Sequence, residues 1–353
     1  MKSNKKLQSN LITFGMVIIL YVICQSLAAA GILSNSMKGL LIQFCYYIIM
    51  AVSLNLTVGI LGELSLGHAG FMCIGAYTYG IFAKVLSSGN LSRTAILLIS
   101  LVLAAIIAAF FGFLIGIPVL RLKGDYLAIV TLAFGEIIKN VTGSLYIAKD
   151  SHGLHFSLNG TSDMVLDADN LVIIDGPKGI TGLTSGVSFT LGTILVIITL
   201  IVVLNLINSR TGRAVMAIRD NRIAAEATGI NVTKYKMLAF TISASLAGVA
   251  GVLYAGSLST LTSTSKNFGY NMSIMILVYV VLGGIGSIRG SVIATVILVL
   301  LPEKLRFVNS YRMLIYAIVL IAMMILNWSP SARAWREKMI NKIKSGKKVK
   351  EAK

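Results

Sequence analysis

The chain consists mainly of long apolar runs separated by shorter polar segments. A helix needs about 20 predominantly apolar residues, at 1.5 Å each, to cross a bilayer. Ten runs are candidates for such spans: residues 11–33, 39–58, 70–85, 94–119, 126–147, 189–207, 237–257, 273–284, 291–301 and 314–328. Because these runs are continuous and do not alternate with polar residues, the pattern argues against a β-barrel. It predicts an all-α integral membrane protein with about ten transmembrane helices, or eight or nine if the shorter runs do not span.

Four polar segments divide this apolar pattern: residues 1–10, 148–186, 210–236 and 329–353. The longest of them, 148–186, is rich in aspartate and in turn-forming residues, which predicts a functional loop or a small cap outside the bilayer. Segment 210–236 is basic, has a helical pattern and is too polar to span. We therefore predict a transmembrane domain over residues 11–328, with a polar N-terminal tail and a basic C-terminal tail.

The composition also indicates a membrane protein. Of the 353 residues, 56% are hydrophobic and 12% are charged, and the mean hydropathy is +0.85. Soluble domains, by contrast, carry about 25% charged residues. The formal net charge is +18. No folded basic domain is visible, so we expect contact with anionic lipid and no nucleic-acid partner.

The positive charges are distributed unevenly between the two sides of the predicted topology. With the N-terminus in the cytoplasm and ten crossings, segment 210–236 and both tails are cytoplasmic, and they hold most of the Lys and Arg residues. Segment 148–186 then lies outside the cell, which gives a positive-inside pattern. A secretory signal peptide is an alternative reading of the first run, because a basic start precedes it and Ala28-Ala29-Ala30 could serve for cleavage. An uncleaved first span agrees better with the charge distribution.

Segment 210–236 is expected to form one or two short helices. Asp220 is a suitable N-cap, alanines follow it, and Gly229 stands where a C′ glycine would end a helix. Two functions are open from the pattern alone, namely an amphipathic helix lying on anionic lipid and a docking element for a soluble partner. The charged side chains available for either function include Arg213, Arg219, Arg222 and Glu226.

Ionisable residues within apolar runs are costly, at about 2.5–3.5 kcal/mol on insertion scales, and are therefore candidates for function. Glu136 lies within the fifth run with Lys139 one turn later, so the pair either neutralises itself or serves as a gate. Glu63 and His68 lie in a Gly-rich break before the third run. Further polar residues at membrane depth either line a translocation pathway or form interhelical hydrogen bonds; they are Asn55, Ser65, Tyr126 and Thr131.

Two Gly-rich breaks, residues 59–70 and 282–291, contain the faintly similar sequences LGELSLGHAG and LGGIGSIRGS. Such similarity is found in transporters built from repeats. It also fits two tight helix turns, so the sequence leaves both interpretations open.

The sequence carries no recognisable catalytic or cofactor-binding motif. It has no G-x-x-x-x-G-K-[ST] phosphate loop, so ATP would have to be hydrolysed by another chain. His68 is far from His152 and His155 in the predicted topology, and no Ser/His/Asp set shares one membrane face. We expect no metal, no cofactor and no enzymatic activity. The cysteines lie in apolar runs without metal-ligand spacing; they are Cys24, Cys45 and Cys73.

Several motifs in the chain occur in the order known from one family. GRAVMAIRDNRIAAEATGINVTKYK covers residues 212–236, LNLTVGILGELSLGHAGFMCIGAYT covers 54–78, and GDYLAIVTLAFGEI covers 124–137. LAFTISASLAGVAGVLYAG, VVLGGIGSIRG and LPEKLR follow in the C-terminal half. Over roughly residues 40–330 the chain resembles the permeases of branched-chain amino acid ABC importers, in particular the M-type of their two membrane subunits.

This resemblance implies an ABC importer permease bundle with a cytoplasmic coupling helix in the bacterial cytoplasmic membrane. The implied partners are a second homologous permease subunit, two cytoplasmic ABC ATPases and an extracytoplasmic substrate-binding protein. The residues implied to couple to the ATPases are Arg213, Arg219, Asp220, Arg222, Ala225, Glu226 and Gly229. The candidates for the pathway or gate are Asn55, Glu63, Ser65, His68, Tyr126, Thr131 and Glu136.

The chain departs from the family pattern at two places. After the last run it has Asn327-Trp-Ser-Pro-Ser-Ala-Arg where the family often has Arg-Pro-Gln/Arg-Gly, and its segment 148–186 is unusually long. The second departure bears on how a binding protein would dock. Alternative functions are a permease of the same superfamily for urea, amides, ribose or nucleosides, an ion-coupled secondary transporter that uses Glu136, and, last, a membrane enzyme.

Overall fold

The computed structural model describes residues 2–31, 35–86, 92–122, 124–150, 153–158, 171–183 and 186–305, with single residues between 311 and 325. Helices dominate these residues. They are α1 (Lys2–Ala29), α2 (Asn35–Asn55), α3 (His68–Leu86), α4 (Arg93–Val119), α5 (Asp125–Ser144), α6 (Phe189–Asn208), α7 (Arg210–Asp220), α8 (Arg222–Ala227), α9 (Val232–Gly256), α10 (Ser265–Phe268), α11 (Tyr270–Gly283) and α12 (Ile288–Lys304). A π-helix, Leu56–Leu61, continues α2 directly.

Among the described residues, seven helices are long and apolar enough to cross a membrane. They match the first seven predicted runs and cover Leu11–Ala29, Met37–Leu61, His68–Leu86, Arg93–Val119, Tyr126–Ser144, Phe189–Asn208 and Val232–Gly256. Among the described residues the predicted count of ten is not confirmed, because α11 has 14 residues and α12 has 17, fewer than the about 20 of a typical spanning helix. Most of the run 314–328 lies outside the described residues.

Two of the predicted span ends shift for local reasons. The helix α9 begins at Val232, before the predicted 237, because the side chain of Asn231 caps it by accepting a hydrogen bond from the Lys234 amide at 3.0 Å. The helix α5 ends at Ser144 because the chain enters a β-strand at Tyr146. A polar cap therefore sets the start of α9, and the following strand sets the end of α5. Hydropathy alone does not determine either boundary.

The helix α9 is the centre of the bundle and packs against α2, α3 and α4. Small residues allow this close packing, as is common between membrane helices. A Cβ atom on Gly75 of α3 would lie 2.0 Å from the carbonyl oxygen of Gly248 in α9, so neither helix could approach so closely with a larger residue at position 75.

The segment between α5 and α6 contains strands, so the fold is mostly helical and not strictly all-α. The antiparallel strands β1 (Tyr146–Asp150), β2 (Gly153–Ser157) and β3 (Leu171–Asp175) form a sheet of order β2-β1-β3. The short strand β4 (Ile180–Thr181) pairs with β5 (Thr260–Leu261). The segment predicted to be a loop thus contains a small sheet, and its strand β4 pairs with β5 in the connection that follows α9.

The chain divides within α12 into two compact units, residues 1–295 and residues 296–353. The first unit holds all seven candidate spans and the strands. In the second, the described residues continue α12 as far as Lys304.

Candidate functional site

Two short polar helices, α7 and α8, connect α6 to α9 and are called here the α7–α8 segment. The hydroxyl of Ser209 begins α7 by accepting from the Gly212 amide at 3.1 Å. The side chain of Asn221 accepts from the Ala224 amide at 3.1 Å and so caps α8. The prediction that Asp220 is this cap is wrong. Asp220 is the last residue of α7, and its carboxylate instead accepts from Arg219.

The helix α8 ends at Gly229, as the sequence predicts. Gly229 has a φ of +82°, and its amide donates to the carbonyl of Glu226 at 3.0 Å. The amide of Ile230 donates to the carbonyl of Ala225 at 3.1 Å, which completes a Schellman motif. This turn directs the chain into α9 and fixes the angle between the two helices.

The α7–α8 segment has one buried face and one exposed face. Ala225 is buried against Ile218 and Val232, so it holds α8 onto α7 and α9. Arg222 and Glu226 are partly exposed and pair with each other at 3.1 Å, one turn apart. The exposed face of α8 therefore presents a charged pair, and the opposite face of the helix is held by packing against α7 and α9. Arg213 lies at the start of α7, where it donates to the carbonyl of Asn208 at 3.1 Å and is exposed.

Ile223 also lies on this exposed face and was missed by the sequence reasoning. Its side chain is 80% exposed although it is large and apolar. Protein interfaces have an apolar centre surrounded by a polar rim, and Ile223 beside the Arg222–Glu226 pair has this arrangement. The signal available in the sequence was a lone isoleucine next to Arg222 in an otherwise polar helix.

Arg219 points in the opposite direction, toward the membrane bundle. One guanidinium nitrogen, Nη1, donates to the carbonyl oxygen of Gly59 at 2.8 Å, within the π-helix. Its aliphatic stem lies over Gly62, where an added Cβ would be 2.5 Å from Arg219 Cγ. Arg219 thus connects the α7–α8 segment to the first Gly-rich break.

A second connection to the same break is an ion pair between Lys236 and Glu63. The Nζ atom of Lys236 donates to Oε1 of Glu63, and both side chains are largely buried, at 7% and 15% exposure. Lys236 lies in the first turns of α9, directly after the α7–α8 segment. Glu63 therefore anchors the break to α9 in this structure and is already paired.

The two Gly-rich breaks, which the sequence suggested were similar, lie in contact. Asn55, the last residue of α2, binds the second break, because its Oδ1 accepts from the Gly286 amide at 2.8 Å and its Nδ2 donates to the Ser291 hydroxyl at 2.8 Å. A Cβ atom on Gly59 would lie 2.3 Å from the Gly286 nitrogen. The π-helix and the turn before α12 are therefore packed backbone to backbone.

Most of the other candidate pathway residues are buried and hydrogen-bonded between helices. The His68 Nε2 atom lies 2.7 Å from the Ser53 hydroxyl. The Thr131 hydroxyl accepts from the Leu66 amide at 3.1 Å and donates to the Ala128 carbonyl at 3.0 Å. Ser65 is buried, and its hydroxyl has no hydrogen-bond partner among the described residues. Tyr126 is separate from this set, being 70% exposed at the start of α5.

Glu136 is fully engaged by neighbouring groups. It pairs with Lys139, as the spacing predicts, and its second oxygen accepts from the Tyr270 amide at 2.8 Å. The Lys139 ammonium also donates to the Ser265 hydroxyl at 3.0 Å. The pair therefore links α5 to α10 and α11, and the structure favours an interhelical tie over a free gating carboxylate.

These features define a class of protein. A bundle of apolar helices with buried polar ties, and a polar helical segment linked to its interior, is the organisation of a multi-pass membrane permease. The family of branched-chain amino acid transport system permease components matches residues 36–325. The chain belongs to that family.

Individual relatives agree with this assignment. The high-affinity branched-chain amino acid permease LivM of Salmonella typhimurium is 36% identical over 314 residues, or 85% of this chain and 70% of that protein. LivM of Escherichia coli is 35% identical with the same coverage. The fructose import permease FruG of Bifidobacterium longum is 23% identical over 84% of this chain and 82% of its own length. No solved structure matches the chain.

Proposed function

We propose that this chain is the membrane-spanning permease subunit of an ABC importer for branched-chain or other hydrophobic amino acids. It carries the substrate across the bacterial cytoplasmic membrane while separate subunits hydrolyse ATP. The LivM relatives support the substrate class, because they are the high-affinity branched-chain permeases that it resembles along most of its length.

The observation that carries this proposal is the hydrogen bond from Arg219 to Gly59, at 2.8 Å. It joins a segment with a charged, partly apolar exposed face to the contact between the two Gly-rich breaks. A soluble ATPase that moves α7 and α8 would therefore move the backbone of the π-helix that follows α2. The Glu63–Lys236 pair gives the movement a second point of attachment.

The topology and partners follow as parts of the same proposal. Residues 1–10 and 329–353 are cytoplasmic tails, residues 11–328 form the transmembrane domain, and residues 210–236 are the cytoplasmic coupling loop. Segment 148–186 faces outward, toward a substrate-binding protein. Two ATPase subunits and a second permease complete the assembly. LivH of Salmonella typhimurium, 26% identical over 261 residues, supports a homologous second subunit.

A second substrate class is favoured by sugar-importing relatives. The fructose permease FruG and the ribose permease RbsC of Escherichia coli, the latter 30% identical over 121 residues, are also similar to this chain. Because no residue of the structure identifies the substrate, the comparison must be made by measurement.

The test is uptake by the assembled transporter in proteoliposomes containing ATP. We expect accumulation of labelled leucine that excess unlabelled isoleucine or valine suppresses and excess ribose, fructose or urea does not. Uptake of labelled ribose or fructose, with no leucine uptake, would reject the amino-acid assignment while leaving the permease assignment intact.

A further inference from the structure

A lateral groove lies between α4 and α9, and none of its lining residues belongs to α7 or α8. Its cavity volume is about 570 Å³, within the ~300–1,000 Å³ of small-molecule sites. Most of its lining is apolar and comes from Phe113, Met237, Leu238 and Ile242. Asn231, Thr233 and Lys234 form its polar end, at the start of the α9 span.

The groove opens on the outer surface of the membrane bundle. Phe113 is 49% exposed and belongs to a stripe of exposed large apolar side chains at helical spacing on α4. This stripe consists of Val102, Ile106, Phe110, Phe113 and Ile117. The fully buried Ala and Gly residues of α4 lie on another face of the helix; they are Ala104, Ala108, Gly112 and Gly116.

This separation of small and large residues indicates which face of α4 contacts protein and which face contacts lipid. Helix–helix contacts in membranes are enriched in small residues, and α4 uses its small residues against α9. The stripe that borders the groove has none, which is the composition of a surface covered by acyl chains.

The polar end of the groove supplies the complementary charge. Lys234 is exposed there, at the N-terminus of α9, where the helix dipole also favours an anion. Arg121 lies just beyond the end of α4, which approaches the same end of α9 through Gly116 and Met237. Deeper in the groove, the Thr241 hydroxyl is buried without a hydrogen-bond partner among the described residues. An ester oxygen of a phospholipid would accept a hydrogen bond from this hydroxyl.

We propose that this groove is a binding site for one anionic phospholipid. Its acyl chain lies along Phe113, Leu238 and Ile242, and its phosphate pairs with Lys234. The site takes lipid from the leaflet that borders the positive end of the bundle, and it occupies a different surface from the α7–α8 segment.

The experiment is native mass spectrometry of the intact transporter, delipidated and then titrated with phosphatidylglycerol or phosphatidylcholine. The variants are Lys234→Ala and the groove-filling Leu238→Trp, and Lys149→Ala on β1 is the control for an exposed lysine outside the groove. We expect Lys234→Ala to weaken phosphatidylglycerol binding about fivefold and to leave phosphatidylcholine binding unchanged. Leu238→Trp should remove one bound lipid of either kind, and Lys149→Ala should behave as the unmodified protein.

Two results would overturn the proposal. One is equal phosphatidylglycerol binding by all four proteins. The other is that Leu238→Trp keeps its bound lipid but detaches the chain from the second permease subunit, which would make the groove a protein interface. A variant that fails to fold is recognised because it would lose phosphatidylcholine as well as phosphatidylglycerol at every site.

Discussion

Arg219 is the residue through which the surface of α7 reaches the interior of the bundle. Its guanidinium bonds the Gly59 carbonyl, and its stem covers Gly62, so it contacts the Gly-rich break at two points. From the sequence it is one of three arginines with the same apparent role. Only the structure separates it from Arg213 and Arg222, whose partners lie within or next to their own helix.

Replacing Arg219 with alanine should uncouple transport from ATP hydrolysis. The lost charge-assisted hydrogen bond is worth about 1 kcal/mol once its partial exposure is discounted, or about fivefold in a coupled rate. The measurement is leucine uptake per ATP hydrolysed in proteoliposomes. The control is Arg93→Ala at the start of α4, an exposed arginine outside the α7–α8 segment, which leaves the Gly59 bond in place and should keep the ratio unchanged. Equal ratios of uptake to hydrolysis for both variants would mean that Arg219 does not couple transport to ATP hydrolysis.

The buried ion pair between Glu63 and Lys236 should show strong coupling in a double-mutant cycle. Removing one partner leaves an unpaired buried charge and costs about 3–5 kcal/mol. We therefore expect Lys236→Met or Glu63→Leu alone to lower the thermal midpoint of the purified subunit clearly. The double variant should recover most of the loss. Additive losses in the double variant would mean that the two side chains do not depend on each other.

At this scale the sequence identified candidates but not their partners. Glu63 and Glu136 were recognisable as costly acids in apolar surroundings. The partner of Glu136 was predictable because Lys139 lies one helical turn away. The partner of Glu63 lies 173 positions along the chain, and no local spacing rule relates two such residues.

At the scale of elements, the α7–α8 segment depends on a sharp end to α8. Substituting Gly229 with alanine places a side chain at a φ of +82° and should cost about 1–2 kcal/mol. We expect less ATPase to copurify with this variant, because α8 loses its fixed angle to α9. Gly182→Ala is the matched control, since it has a φ of +75° and equally open space but lies before α6. If both variants recruit ATPase equally, the end of α8 is not part of the docking geometry.

The exposed face of α8 should provide the contact itself. We expect Ile223→Asp to abolish ATPase copurification by placing a charge where an apolar anchor packs, and Glu226→Lys to reduce it by reversing the local charge. Insertion of the subunit in the membrane should be unchanged in both. The control is Leu154→Asp, because Leu154 is also an exposed apolar residue but lies on β2, outside the spans and the α7–α8 segment. Normal recruitment by Ile223→Asp would count against this face.

The elements were predictable where one physical cue dominates. Hydropathy located the first seven spans, and a glycine located the end of α8. The cap of α8 was misassigned because Asp220 and Asn221 are both good caps, and the pairing of Asp220 with Arg219 decided between them. The π-helix and the small sheet left no periodic signal, since the first continues an apolar run and the strands are only five residues long.

At the scale of the whole molecule, the chain is a membrane permease whose polar interior consists of ties between helices. Asn55 and Glu136 each connect segments that are distant in sequence, and His68 connects α3 to the preceding helix α2. The described residues contain no ATP-binding phosphate loop, and energy would enter through α7 and α8. The two Gly-rich breaks meet at Gly59 and Gly286.

The source of energy is the claim on which this account depends most. The direct measurement is leucine uptake by the assembled transporter in proteoliposomes under two conditions, internal ATP without an ion gradient and an imposed proton gradient without ATP. The account predicts uptake in the first condition only, and its loss when the ATPase subunits are omitted. Uptake that survives ATP depletion under the proton gradient would contradict it and would indicate a secondary transporter.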